Sequence, residues 1–252
     1  MTRLAAIVEE LVRAHRASSP PPRGLAYLGL EHASGTGFHL LDALATRGIF
    51  RKYELVLELG AGLGAASRWL AARLGCEVVS TTADGAEAAA ATELTRRAGL
   101  ATQVRFVAAT AALPFHAARF THVWIIESLA RLADPEHALA EAFRAVRRGG
   151  TLAMQDLVVG AGRAPAIPGW HAVAAEERGA AVARAGFVDL EVRDRSSDAT
   201  ERSAQVVAAR AQLARRLAGD PTLAAVAAER AALEAAIASG ALRVVQILAR
   251  RP

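Results

Sequence analysis

The 252-residue chain has one cysteine, Cys76, and one lysine, Lys52. A single thiol excludes an internal disulfide framework and fits a reducing compartment. No run of about eighteen uncharged apolar residues occurs, so no membrane span is expected. The opening "MTRLAAIVEELVRAHR" lacks the unbroken apolar centre of a secretory leader, because Glu9 and Glu10 interrupt it. The chain is therefore expected to be soluble and cytoplasmic. No His or Cys pair has structural-zinc spacing, and neither a G-x-S-x-G elbow nor a Walker loop is present. Metal dependence and hydrolysis are not expected. Internal repeats and a disordered tail are also missing. The net charge of +5 is carried by scattered arginines with acids between many of them. No reader motif accompanies it, so nucleic acid is not an expected partner, and the arginine and alanine content reflects genome composition.

What is present is an ordered alternation. Leu4, Ile7, Val8, Leu11 and Val12 recur at helical spacing and predict an opening amphipathic helix. "SSPPPRG" ends it, since consecutive prolines cannot continue a helix. "FHLLDALATRGIF" predicts a second helix. From residue 55 strand-like runs follow: "LVLEL", "EVVST", "VRFVA", "HVWII" and "TLAMQDLVV". The helix-like stretches "AASRWLAARLG", "AEAAAATELTRRAG" and "PEHALAEAFRAVRRGG" separate them. Such alternation implies right-handed crossovers and a Rossmann-like, doubly wound, mainly parallel α/β sheet. A helix over 170–186, a strand "VDLEVRD" and a last strand "LRVVQILAR" complete the chain. Between those strands, Val206, Leu213 and Leu217 form one apolar stripe, and Leu223, Val226, Leu233 and Ile237 another, broken at "GDP". The expected organisation is an N-terminal helical cap segment over 1–50 and an α/β domain over 51–252, with a helical cap insertion at 199–240.

The stretch "VLELGAGLGAASRWL" places Gly60, Gly62 and Gly64 where the first sheet strand turns into its helix. Ligands of open α/β sheets sit outside the carboxyl ends of the strands, and glycine there lets a ligand approach the backbone. The knot fits both G-x-G-x-x-A, a dinucleotide fingerprint variant, and E-x-G-x-G-x-G. Glu58 favours the second, because a carboxylate at the strand tip suits a positively charged ligand better than a pyrophosphate.

From Glu58 to Asp156 the chain resembles class I S-adenosylmethionine-dependent methyltransferases, of the small-molecule and quinone-biosynthesis type. The resemblance rests on "LELGAGLG", "LPF", "FTHVWIIESL", "DPEHALAEAFRAVRRGGTLAMQDL" and "ARAGFVDLEVRDRS" in that order, and on the closing "LRVVQILARRP". It implies an antiparallel last strand and S-adenosylmethionine as cofactor. Gly60, Ala61, Gly62 and Gly64 would line its amino acid and ribose portions, with Glu58 orienting the ammonium group. At the family's second-strand acid stand Thr82 and Ala83, with Asp84 further into the loop. At its third-strand aspartate stand Ala109, Thr110 and Ala111. Phe120-Thr121 replaces the usual Phe-Asp, and Ala130 and Arg131 replace a histidine. Loss of one such carboxylate costs about ten- to a hundredfold in affinity if nothing compensates. Three explanations stay open: the hydroxyls of Thr82 and Thr110 contact the nucleoside, the cofactor is altered, or methyl transfer is lost and a non-catalytic binding or scaffold protein remains. An NAD unit would also want an acid about twenty residues past the glycines, and finds none at that place.

Methyl transfer needs alignment and water exclusion, and a base only where the acceptor must lose a proton. Glu127, after the fourth strand, is the first candidate for contacting cofactor or substrate. His32, near Tyr27 and before His39, is the second candidate, as base or acceptor clamp. His122 is expected in the core, His116 in an exposed loop, and Trp170 with His171 near the acceptor cavity. The cap insertion argues for an enclosed, fairly apolar small-molecule acceptor. The oligomeric state stays open, a homodimer included.

Overall fold

The structure is a computed structural model that describes residues 3–17, 36–109, 112–160, 165–199, 204–221 and 223–252. Seven strands form one sheet in the order β3-β2-β1-β4-β5-β7-β6. They are β1 (Leu55–Leu59), β2 (Glu77–Thr82), β3 (Val104–Ala108), β4 (Phe120–Ile126), β5 (Val146–Val159), β6 (Val188–Asp194) and β7 (Leu242–Arg250). The first five pair in parallel, and β7 runs antiparallel between β5 and β6. The strand order reverses between β1 and β4, which is where such sheets open a crevice.

The central strands are apolar on both faces because helices cover both. One face buries Leu57, Val123, Leu152 and Met154 under α5 (Pro135–Ala145) and α6 (Ala175–Arg184). The other buries Val56, Val78, Trp124 and Ala153 under α2 (Phe38–Arg47) and α3 (Ala65–Leu74). Trp69 of α3 stacks parallel to Trp124, with ring centroids 6.4 Å apart. α5 starts where Asp134 accepts a bond from the His137 N–H at 2.9 Å and Pro135 takes the first helical position. Cys76 is fully buried with its thiol on the Arg51 carbonyl, and burial, with Glu54 adding, pushes that thiol up to about 12.

Two expected helices are shorter in the structure. "PEHALAEAFRAVRRGG" is helical only to Ala145, since Val146 pairs with Phe120 and the following residues extend β5. The stretch from 170 becomes helical only at Ala175. Outside the sheet, α1 (Arg3–Ala17), α4 (Gly85–Arg97) and α7 (Ala204–Gly219) share an apolar cluster that includes Ala6, Leu11, Leu94 and Leu217. α8 (Ala224–Ala238) packs Leu233 and Ile237 against Leu157, Trp170 and Val244. The side chains of Leu4, Val206 and Leu213, parts of the expected stripes, lie outside the described residues. No described helix is long and apolar enough to cross a membrane.

Asp156 of β5 is fully buried beside Arg178 of α6, with Nε to Oδ2 at 2.8 Å. Burial pushes the Asp156 carboxyl up to about 6, although Arg178 pulls it back. The folded chain thus keeps that proton to higher pH than the unfolded chain, so this group's contribution to stability fades as pH rises through about 6. Removing the cation steepens the effect. Arg178→Met should cost about 3–5 kcal/mol at pH 8 and far less at pH 4, where the folded Asp156 is neutral. Urea midpoints across that range check this; an equal loss at both ends contradicts it.

Candidate active site

Beyond β1 the backbone turns through Gly60, Gly62 and Gly64, all left-handed, at φ of +66°, +54° and +83°. A side chain in that conformation costs about 1–2 kcal/mol. The three glycines answer to different neighbours. A Cβ on Gly60 would lie 2.7 Å from Ser128 Cβ, and one on Gly64 would lie 2.4 Å from Phe106 Cζ. A Cβ on Gly62 would meet nothing closer than Glu87 Oε1, at 4.0 Å. Gly60 and Gly64 are therefore bare for packing, while Gly62 is bare toward open space. Backbone bonds hold the bend: Gly60 N–H donates to Thr81 Oγ1 at 3.1 Å and Ala61 N–H to the Thr81 carbonyl at 2.8 Å. Ser128 Oγ donates to the Leu59 carbonyl at 2.7 Å and ties the tips of β1 and β4 together.

That open space is a cavity of about 740 Å³ over the carboxyl ends of the strands. Its floor is Glu58, Gly60, Ala61 and Gly62; the β2 side adds Thr82, Ala83 and Glu87; the β4 side adds Glu127, Ser128 and Arg131. Ile7 and Leu11 of α1, Leu217 of α7 and Val226 of α8 cover it, with Trp170 to one side. Of the residues expected at the site, Glu58, Gly60, Ala61, Gly62, Thr82, Ala83 and Glu127 thus meet around one cavity. Gly64 is not among its lining residues; it opens α3 against Phe106 and Arg68. His32, Tyr27, Thr110 and Ala111 lie outside the described residues.

His137 of α5 is a further lining residue of the cavity, whereas four other histidines are not. His122 is buried, its Nε2 3.2 Å from the Gly48 carbonyl, and burial lowers its pKa. His39 Nε2 sits 2.9 Å from the Asp198 carbonyl. His116 is exposed, and so is His171, whose backbone N–H donates to Ala130.

Two carboxylates of the cavity are fixed by neighbours. Glu58, opposite Ser80 on β2, accepts a bond from Ser67 Oγ at Oε2, with Ser80 Oγ 3.4 Å from the same oxygen. Ser67 and Ser80 are themselves joined at 2.9 Å. Glu127 is left-handed at φ +53°, a costly conformation of the kind that gathers at functional sites. Its backbone N–H donates to the Gln155 carbonyl at 2.7 Å, and Oε1 accepts from Thr36 Oγ1 at 2.6 Å and Gln155 Nε2 at 2.8 Å. Gln246 of β7 donates in turn to Gln155 Oε1 at 3.0 Å and to the Leu40 carbonyl at 2.7 Å.

Sequence reasoning missed two features of the cavity. Glu87 reaches it from the first turn of α4, signalled by the helix-start pattern Asp84-x-x-Glu87. On the α8 side, Arg131 Nη1 pairs with Glu229 Oε1 at 3.0 Å, and Trp170 Nε1 donates to the same oxygen at 3.1 Å. The Arg131 guanidinium lies 5.3 Å from the Trp170 ring centre. Residues 98 positions apart form that ion pair, so no local pattern announces it. Among the described residues no group of three or more His, Cys, Asp or Glu side chains could hold a metal ion.

A doubly wound sheet with a glycine bend behind an acidic strand tip, opening at the order reversal, is a Rossmann-like arrangement whose crevice lies where ligands of such sheets bind. Residues 57–154 match the methyltransferase domain family. Methyltransferase GfsG of Streptomyces halstedii is 34% identical over 105 residues, 41% of this chain and 38% of that protein. The chloroplastic tocopherol O-methyltransferase of Arabidopsis thaliana is 31% identical over 103 residues, 40% of this chain and 30% of that protein. The matched stretches thus span well under half the length of these relatives. The solved structure of the [4+2]-cyclase SpnF superposes with a TM-score of 0.72 at 25% identity, over 85% of this chain and 80% of that one. Over residues 57–154 the α/β unit of this chain is thus similar to methyltransferase domains.

The glycines separate by stability. Gly62→Ala should cost about 1–2 kcal/mol of backbone strain, and Gly60→Ala about 1–3 kcal/mol more because its Cβ collides with Ser128. Denaturant unfolding of the two variants measures the difference; equal losses would contradict these separate roles.

Proposed function

We propose that this chain transfers a methyl group from S-adenosylmethionine to a small, fairly apolar acceptor. The observation that carries the reading is that the buried Glu58 and the bare backbone of Gly62 line one cavity of about 740 Å³. The residues suit that cofactor: Glu58, Glu87 and Glu127 surround the space with carboxylates, which favours a ligand bearing an ammonium and a sulfonium. Bound there, S-adenosylmethionine would supply an electrophilic methyl group on sulfur.

The protein's part is alignment and the exclusion of water. Glu58, its orientation fixed through Ser67 and Ser80, takes the ammonium group. Ala61 and Gly62 let the ligand lie against the main chain. Glu127, anchored on one oxygen by Thr36 and Gln155, presents negative charge on the acceptor side. It acts as a base only where the acceptor must lose a proton. Ile7, Leu11, Leu217 and Val226 keep water out and set the apolar character of the acceptor space. In this reading residues 1–50 and 199–240 are the cap on the α/β domain over 51–252, and the buried thiol of Cys76 fits a cytoplasmic setting.

A second reading, in which the nucleoside is held but no methyl group moves, has one observation behind it: the solved structure matched at TM-score 0.72 is that of a [4+2]-cyclase. Calorimetric titration with S-adenosylhomocysteine tests the shared premise. Micromolar binding is expected. It should vanish in Gly62→Arg and weaken about ten- to a hundredfold in Glu58→Gln, which keeps an oxygen for Ser67 while losing the charge. No binding at millimolar ligand would overturn both readings; binding without transfer to any acceptor in a small-molecule panel would favour the second.

A further inference from the structure

The end of β2 offers a nucleoside no strand-borne acid. Thr82 is buried, and its hydroxyl donates to the Asp84 carbonyl at 3.1 Å. The Asp84 carboxylate is also committed, since its Oδ1 accepts the Glu87 N–H at 2.8 Å and caps α4. Thr81 spends its hydroxyl on the Gly60 N–H and the Glu58 carbonyl, and Ala83 and Ala109, the other lining residues of this side, have no polar side-chain atom. What reaches the cavity is the Glu87 side chain, folded back over the strand end. Its Oε2 accepts the Ala83 N–H at 2.9 Å, which fixes the carboxylate from behind. Its Oε1 is the nearest atom to the place a Cβ on Gly62 would take, 4.0 Å away. The second carboxylate oxygen therefore faces the ligand space between the glycine bend and the first turn of α4.

We infer that Glu87 binds the two ribose hydroxyls of the cofactor, so that helix α4 rather than strand β2 delivers the nucleoside-gripping acid. This rests on the S-adenosylmethionine reading and deepens it. A carboxylate is an acceptor only, with room for two neighbouring hydroxyl donors. Bonds from hydroxyls to a charged oxygen are among the stronger ones available to a neutral diol. The placement also separates the two acids: Glu58 lies at the tip of β1, while Glu87 lies beside β2, toward the β3 edge of the sheet. One acid serves the amino acid end and the other the sugar. The sequence shows no acid at the strand position because the same contact is made from the third position of the next helix.

The test compares two probes on three proteins. S-adenosylhomocysteine, and its analogue lacking both ribose hydroxyls, are titrated by calorimetry into the wild-type chain, Glu87→Ala and Glu87→Gln. Glu87→Gln keeps an oxygen for the Ala83 N–H, so the start of α4 stays capped. The expected result is a loss of about ten- to a hundredfold for S-adenosylhomocysteine in both variants. The analogue, already weaker on the wild type, should bind all three proteins within about twofold. Should Glu87→Ala fail to fold, by circular dichroism, Glu87→Gln alone decides. Equal losses for both probes would overturn the assignment, because Glu87 would then serve the loop or the ammonium group. Unchanged affinity of Glu87→Gln for S-adenosylhomocysteine would overturn it while leaving the function standing. Failure of the wild type to bind either probe at millimolar concentration removes the reading beneath it as well.

Discussion

Ser128 and Gly60 cannot both carry more than they do. The serine side chain at the tip of β4 fills the place a Cβ on Gly60 would need, and its hydroxyl bonds the last carbonyl of β1. From that contact the rest of the site follows. The bend is left-handed and bare, and Gly62 faces the cavity that Glu58 also lines, with Glu87 Oε1 the nearest atom to its missing Cβ. The same contact fixes the neighbouring Glu127, whose strained backbone is held by a bond to Gln155 on the adjacent strand. Glu58, held by Ser67 and Ser80, and Glu127, held by Thr36 and Gln155, are thus set around one space from the ends of neighbouring strands.

Polar groups inside the sheet carry that constraint outward. Glu127, Gln155 and Gln246 form a buried hydrogen-bonded row that crosses from β4 through β5 to β7 and ends on the Leu40 carbonyl of α2. In a low-dielectric interior each member depends on the others for its partner. The site is thus tied to the antiparallel strand β7, against which α8 packs. Arg131, Glu229 and Trp170 make the corresponding polar tie to α8. Between these two ties the lining is mostly apolar, as small-molecule pockets commonly are.

The strand pattern was readable because central parallel strands such as "LVLEL" are apolar on both faces; it and the edge strand "VRFVA" have the boundaries the structure shows. "VRRGG" was not, since its arginines extend a helical pattern locally, whereas pairing with β4 and β7 makes it strand. Glu58, Gly60 and Gly62 could be found because strand tip and turn are contiguous in sequence. Gly64 looked identical but answers to Phe106, a residue on another strand. Glu87 escaped because an acid was sought at the end of β2, while the backbone there hands its polar contacts to a helix cap. The pairing of Arg131 with Glu229 is a product of tertiary folding alone.

The central claim is that the left-handed bend and the acid beneath it hold the amino acid end of a sulfonium nucleoside. A crystal structure of the chain grown with S-adenosylhomocysteine tests it most directly. The account predicts ligand density in the cavity, with the ammonium nitrogen within hydrogen-bond distance of Glu58 and the backbone of Gly62 in contact with the ligand. Density that places the adenine or a pyrophosphate-like group over Glu58, or a cavity closed by the protein's own side chains, would contradict it.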